Sequence, residues 1–212
     1  MMDQIHIGYT NWQQSEIRVM PEIQRVDNNG YKAINSVCSI DNRFISIEAE
    51  HFDRKNETGG IHWEIVPDLG KTLSGVTTFP QNAYPKVTDA VYLEYDMDFK
   101  KTGEFDLHVL VSPTLNFNSN KGLRYAVSFD GGPEQTVNIN RKYDGKLMEK
   151  WEANSINETI TRHKITTTGK HSLRFRVIDP GIVLQKIMID LGGLKKSYLG
   201  GPETTKLCKF NL

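Results

Sequence analysis

Glu48 and Glu50 stand two residues apart in a run that reads Phe44, Ile45, Ser46, Ile47, Glu48, Ala49, Glu50. At the period of two that a strand imposes, Ile45, Ile47 and Ala49 share one face, and Ser46, Glu48 and Glu50 share the other. Two carboxylates side by side repel unless a cation, a hydrogen-bond network or open water compensates. Two readings stay open: a hard, oxygen-seeking ion such as calcium held by the pair, or the solvated outer face of a half-buried strand. Asp190, in phase with Lys186 and Met188 near the end of the last long apolar run, is a third oxygen donor. If the first and last strands pair, it meets Glu48 or Glu50 and completes an oxygen-rich site; otherwise it is a solvent-facing strand terminus.

Aromatic residues offer a second chemistry. Trp63, Phe79, Tyr92 and Trp151 are large flat surfaces of the kind that stack on the C–H faces of sugar rings, and each could equally be core. Trp151 is the best placed of them, because it lies in an irregular polar stretch with Glu152 and Asn154 beside it to hydrogen-bond hydroxyls. Catalysis by a glycosidase pair needs two carboxylates on opposite sides of a cleft, about 5–9 Å apart. Glu48 and Glu50 instead share one face of one strand. No nucleophile elbow, zinc-protease helix, phosphate loop or dinucleotide fingerprint occurs, and the six histidines are scattered. No catalytic residue is expected.

Positive and negative side chains balance at 26 each in 212 residues, so no net field draws the chain to nucleic acid or to an anionic membrane. Cys38 and Cys208 are too few for a disulfide framework or a thiolate zinc site, and a single bridge between them is left open. The first residues lack a basic start followed by an apolar core, and no later run is long enough to span a bilayer.

These side chains must be positioned by strands. Val91, Leu93, Tyr95, Met97 and Phe99 alternate with polar residues, as do Phe105, Leu107, Val109 and Val111; with the turn at 100–103 they predict a hairpin with solvated acidic outer faces. Further strands are predicted at 61–66, near Val76, at 123–129, at 136–139, at 173–177 and at 183–191, with an edge strand at 19–26, where Pro21 cannot donate to a ladder. One short helix is allowed at 146–153. Tyr9 and Trp12 mark an arm packed on the main domain or a surface facing another domain. About nine short strands with Gly- and Pro-rich turns predict an all-β antiparallel sandwich over residues 41–194, preceded by an N-terminal arm with its edge strand (1–40) and followed by an extended tail (195–212).

The run Ile47, Glu48, Ala49, Glu50, the pair Gly59 and Gly60, the stretch from Thr168 to Phe175 and the closing Ile187, Met188, Ile189, Asp190 resemble jelly-roll carbohydrate-binding modules of families 6 and 35. Tyr9 to Gln14, Met20 and Pro21, Glu48 to Phe52, Trp151 with Asn154, Asp179 to Asp190, and Gly192, Gly193 with Ser197 to Glu203 resemble, more specifically, the C-terminal domain of glycoside hydrolase family 115. The resemblance implies an accessory domain of an α-glucuronidase that removes (4-O-methyl)glucuronic acid from xylan, with the catalytic domains elsewhere and the parent enzyme periplasmic or secreted. The resemblance to the family 6 and 35 modules implies a structural calcium at Glu48, Glu50 and Asp190. As a binding module, the domain would hold glucuronoxylan, another plant polysaccharide or their fragments in a loop-end cleft near Trp151 and Asp179, with Asn154, Trp63 and Phe79 as further contacts. As a structural domain, it would dock on glucuronidase catalytic domains or on a second copy.

Overall fold

Strict alternation of apolar and polar residues leaves most segments one face to bury, and two sheets pressed face to face satisfy all of them together. The computed structural model describes residues 43–86, 90–117, 122–140 and 156–204, all within the compact unit Ser36–Leu212. The N-terminal arm, the edge strand at 19–26, the helix at 146–153 and both cysteines expected from the sequence lie outside these residues. Eleven strands are present among the described residues: β1 (Phe44–Glu48), β2 (Arg54–Asn56), β3 (His62–Val66), β4 (Gly75–Phe79), β5 (Tyr92–Phe99), β6 (Gly103–Val111), β7 (Arg124–Phe129), β8 (Gln135–Asn138), β9 (Asn157–Ile165), β10 (Gly169–Val177) and β11 (Leu184–Asp190). No helix among the described residues is long and apolar enough to cross a membrane.

The strands form an antiparallel sandwich. One sheet runs β3-β4-β11-β6-β9, with β1 also paired to β11; the other runs β2-β5-β10-β7-β8. Between them lies a single main core that includes Ile47, Ala49, Val76, Leu93, Tyr95, Phe99, Leu107, Val109, Tyr125, Leu173, Phe175, Leu184 and Ile187. Tyr95, fully buried, donates its hydroxyl to the Ala49 carbonyl at 2.8 Å and so satisfies its one polar atom across the two sheets. Phe105 and Phe129 meet edge to face, their ring centroids 5.4 Å apart, at the end where the turns are short.

The expected hairpin of residues 91–111 is corrected. β5 pairs with β2 and β10 in the second sheet, whereas β6 pairs with β11 and β9 in the first. The turn at 100–102 arches from sheet to sheet. Inward alternation is the same for a hairpin within a sheet and for an arch between sheets, because both strands present their apolar side chains to one core.

The segment after β11 does more than run over the surface. Leu191 donates to the Arg43 carbonyl at 2.8 Å, Thr204 pairs with Ser46 through N–H to carbonyl at 2.8 Å, and the Ser46 hydroxyl donates to the Gly201 carbonyl at 2.9 Å. Residues 191–204 therefore cover the free edge of β1 and part of the outer face of its sheet. An edge so covered offers no template to another strand.

Candidate functional site

Loop length sorts the two ends of the sandwich. At one end the strands are joined by long connections at 80–91, 112–123, 139–156 and 178–183 and a shorter one at 57–61; at the other, 100–102, 130–134 and 166–168 join them in three to five residues. Binding residues on β scaffolds gather on such long loops because the sheets hold them rigidly while sparing them from packing.

The described part of this end carries exposed apolar surface. Phe117 is 59% exposed, Leu115 66% and Tyr84 45%. Phe117 does not wave free. A Cβ built on Gly181 would fall 2.8 Å from its Cε1, so the ring rests edge-on against the bare backbone of the 178–183 turn, where Gly181 has φ of 88°. That turn is pinned in its own right. Asp179, buried, accepts from the Arg124 backbone N–H at 2.9 Å, from Nε at 2.7 Å and from Nη2 at 3.1 Å. Hydrogen bonds to Asp179 hold the Arg124 guanidinium above its usual range, against the smaller opposing effect of burial. Beside the turn, Thr77 donates its hydroxyl to the Ile182 carbonyl at 2.9 Å and accepts from Gln81 at 3.3 Å. Phe79, at the end of β4, stacks with His62 at a centroid distance of 6.4 Å and 26° between planes. The result is a pinned turn with the Phe117 ring exposed on top and the Gln81 amide at its margin.

Several sequence candidates have other work. Trp63 is 5% exposed, tilted against Phe175 in the core at 6.4 Å, and is no platform. A period-two strand places it inward with Val76, and no pattern in the sequence separates an inward tryptophan from a presented one. Asp179 positions the turn through Arg124 and does not face outward. Tyr92 lies under the Arg174 guanidinium, 4.1 Å from its ring centroid. Trp151 and Asn154 lie outside the described residues. Phe117 was missed. Its signal was available, since Leu115, Asn116, Phe117 and Asn118 set an aromatic among amides just as Trp151 is set.

The acidic outer face of the second sheet is not simply solvated, as expected, but ion-paired. Arg54 reaches Glu94 at 2.8 Å and Asp96 at 2.6 Å, Arg174 reaches Glu94 at 2.9 Å, and Arg176 reaches Glu134 at 2.5 Å. Burial pushes the Glu94 carboxyl up, yet hydrogen bonds from Arg54 and Arg174 bring it below the usual carboxylate range. This face spends much of its hydrogen-bonding capacity on itself.

The glutamate site is also rearranged. β1 and β11 do pair, but the register sets Asp190 opposite Phe44 and Lys186 opposite Glu48. Four residues of strand, about 13 Å, separate Asp190 from Glu48. Asp190 gives one oxygen to the N–H groups of Gly192, Gly193 and Leu194 at 2.8, 2.9 and 3.1 Å. Burial raises its carboxyl, and these three donors more than reverse that, leaving it below its ordinary value. Glu50 lies past the end of β1, in a turn, 3.7 Å from His51 Nε2. Glu48 is buried against the Lys186 ammonium at 2.8 Å. The expected trio of Glu48, Glu50 and Asp190 does not converge, and among the described residues no three of His, Cys, Asp and Glu are arranged to hold a metal. These residues do not fit a calcium ion.

A concavity of about 770 Å³ lies between the tail and β1, lined by Arg43, Phe44, Asp190, Gly193, Lys195 and Ser197 among others. The backbone of Gly201 lies against its Phe44 ring, and one Asp190 oxygen caps the tail's backbone.

Comparison with known proteins agrees with this architecture. The Glycosyl hydrolase family 115 C-terminal domain matches residues 40–203. Among solved structures, BtGH115A, a family GH115 4-O-methyl-α-glucuronidase with specificity for decorated arabinogalactans, is similar with a TM-score of 0.55 and 15% identity over 73% of this chain and 17% of its own. A family 35 carbohydrate-binding module from Clostridium thermocellum is similar at 0.46 and 18% identity, over 68% of this chain and 97% of its own. The family 6 module CBM6cm-2 of Cellvibrio mixtus lichenase 5A is similar at 0.42 and 17%, over 68% and 95%. No curated protein sequence matches. The chain thus spans about 17% of the length of the glucuronidase it is similar to, and the match over residues 40–203 shows that it belongs to the C-terminal domain family of glycosyl hydrolase family 115.

Proposed function

We propose that this chain is the non-catalytic accessory domain of a xylan α-glucuronidase, and that it binds glucuronoxylan or its fragments at the loop end of the sandwich. The observation that supports this most directly is Phe117, an exposed ring seated on a pinned turn. A flat apolar surface suits the C–H face of a pyranose, and the side-chain amide of Gln81 is within reach of the turn. The test is calorimetric titration of the 212-residue chain with glucuronoxylan oligosaccharides and, in parallel, with arabinogalactan fragments. Saturable heat with the former that falls on Phe117→Ala supports the reading. Heat only with arabinogalactan would move the ligand class, and no heat with either would remove the sugar-binding role.

A second reading is docking on glucuronidase catalytic domains or on a second copy without sugar. It is favoured by a different surface: Tyr198 and Leu199 are 66% and 50% exposed on the tail, and the Lys71 ammonium sits 3.9 Å over the Tyr198 ring. A monomeric mass in solution, together with no binding to the catalytic domains, would remove it.

A further inference from the structure

We infer that Lys186 is itself the cation of the glutamate site, its ammonium holding the place a divalent ion would take, so that the first sheet closes against the tail without calcium. The inference stands on the outer face of the first sheet and does not depend on the sugar reading. Glu48 and Lys186 are direct cross-strand partners at the end of β1, where side chains are close enough to touch. The Glu48 Oε1 atom accepts from the Lys186 ammonium at 2.8 Å and from the Thr72 hydroxyl at 2.6 Å. The ammonium lies 3.4 Å from the Thr72 hydroxyl and 3.4 Å from the Leu199 carbonyl.

A lysine has three N–H donors and no acceptor, and here it faces a carboxylate, a hydroxyl and a carbonyl. That is the all-oxygen shell a hard cation seeks. The pair is sealed: the side chains of Lys186 and Glu48 are 2% and 4% exposed. An ammonium at this distance fills the space next to the carboxylate, so an ion bound to the same oxygen would first have to expel it. The three oxygens come from β1, from the loop between β3 and β4 and from the tail, so one buried charge ties three segments together. Burying a lone carboxylate here would be costly, and the register supplies the cation from within the chain.

The test is the thermal midpoint of the 212-residue chain in millimolar calcium and in excess chelator, for the wild type, for Lys186→Met, and for Lys186→Met combined with Glu48→Gln. A site of micromolar calcium affinity would raise the wild-type midpoint by about 10 °C in millimolar calcium. The expected wild-type shift is within about 1 °C, since no bound ligand contributes. Lys186→Met should lower the midpoint by on the order of 10 °C by stranding a buried carboxylate, and the double variant should regain most of that loss because both charges are gone. A wild-type midpoint that rises with calcium and falls with chelator overturns the inference, as does a double variant no more stable than Lys186→Met. Should Lys186→Met fail to fold, the wild-type arm and the double variant still decide.

Discussion

Replacing Gly181 by alanine separates the seat of Phe117 from the ring itself. The added methyl has two effects. It sits on a backbone with φ of 88°, which an L-residue adopts at a cost of roughly 1–2 kcal/mol. It also falls 2.8 and 2.9 Å from Cε1 and Cζ of Phe117, too close for carbon. Those atoms are the far end of a side chain that is 59% exposed, so the ring swings away and the clash adds little to the loss of stability. At about 2–4 °C per kcal/mol for a chain of this size, the midpoint should fall by about 2–8 °C. Binding should fall with it, because the displaced ring no longer rests on the turn. Phe117→Ala should weaken glucuronoxylan binding about tenfold, near 1.4 kcal/mol, while changing stability by no more than about 0.5 kcal/mol, as a surface substitution does. The decisive variant is the double one. With the ring gone, Gly181→Ala should remove no further affinity, although the backbone strain persists in the melting curve. Calorimetry and thermal melts on the four proteins read both quantities. Wild-type affinity in Gly181→Ala, or losses that simply add in the double variant, would refute the claim that this turn presents the ring.

Other groups give independent checks. Asp179→Asn should cost about 2–3 kcal/mol in urea unfolding by weakening three hydrogen bonds to Arg124, and should lower affinity through the loosened turn. Asp190 has a depressed carboxyl in the folded state, so its contribution is present above the ordinary carboxylate pKa and is lost as pH falls through the folded value; Asp190→Asn should flatten the acid limb of a stability-against-pH curve. His108 runs the other way. Its hydrogen bond to Glu158 raises it against the opposing effect of burial, so its contribution is complete below its unfolded value near about 6.5 and disappears as pH climbs through the raised folded value. His108→Gln should remove that part of the slope on the neutral-to-alkaline side, and an unchanged slope would show that the Glu158 pairing does not form in solution.

Much of the fold could be read from alternation. The strands at 44–48, 92–99, 103–111, 124–129, 169–177 and 184–190 fall where inward apolar residues recur every second position, and the antiparallel sandwich follows from packing them. What alternation does not encode is which strand lies beside which. Val91 to Phe99 and Phe105 to Val111 look like a hairpin because each has one wet face, yet they sit in opposite sheets and share only the core between them. The same gap moved Asp190. Pairing of the first and last strands was a sound conditional, but the register that set Asp190 against Phe44 is fixed by which apolar residues meet across the sheet, and no local pattern states it.

Burial of the polar face was the deeper omission. Ser46 and Glu48 alternate with Ile45 and Ile47 as a solvated face would, and in the structure they are 0% and 3% exposed, because the tail lies across them. A covering segment some 150 residues away in sequence leaves no mark on the period of the strand it covers. It does leave one on composition: Lys186 stands among Leu184, Ile187 and Ile189, in a strand where a lysine has no apolar use. A charged residue inside such a run asks for a partner of opposite sign, and Glu48 was the carboxylate in the same position on the other terminal strand. Read that way, two chemical oddities at the two ends of the domain explain each other, and the cation that the glutamate pair called for was already in the sequence. The aromatic candidates divide on the same physical ground. Trp63 sits in a strand and is drawn inward, whereas Phe117 sits in an amide-rich loop with a glycine turn beneath its ring.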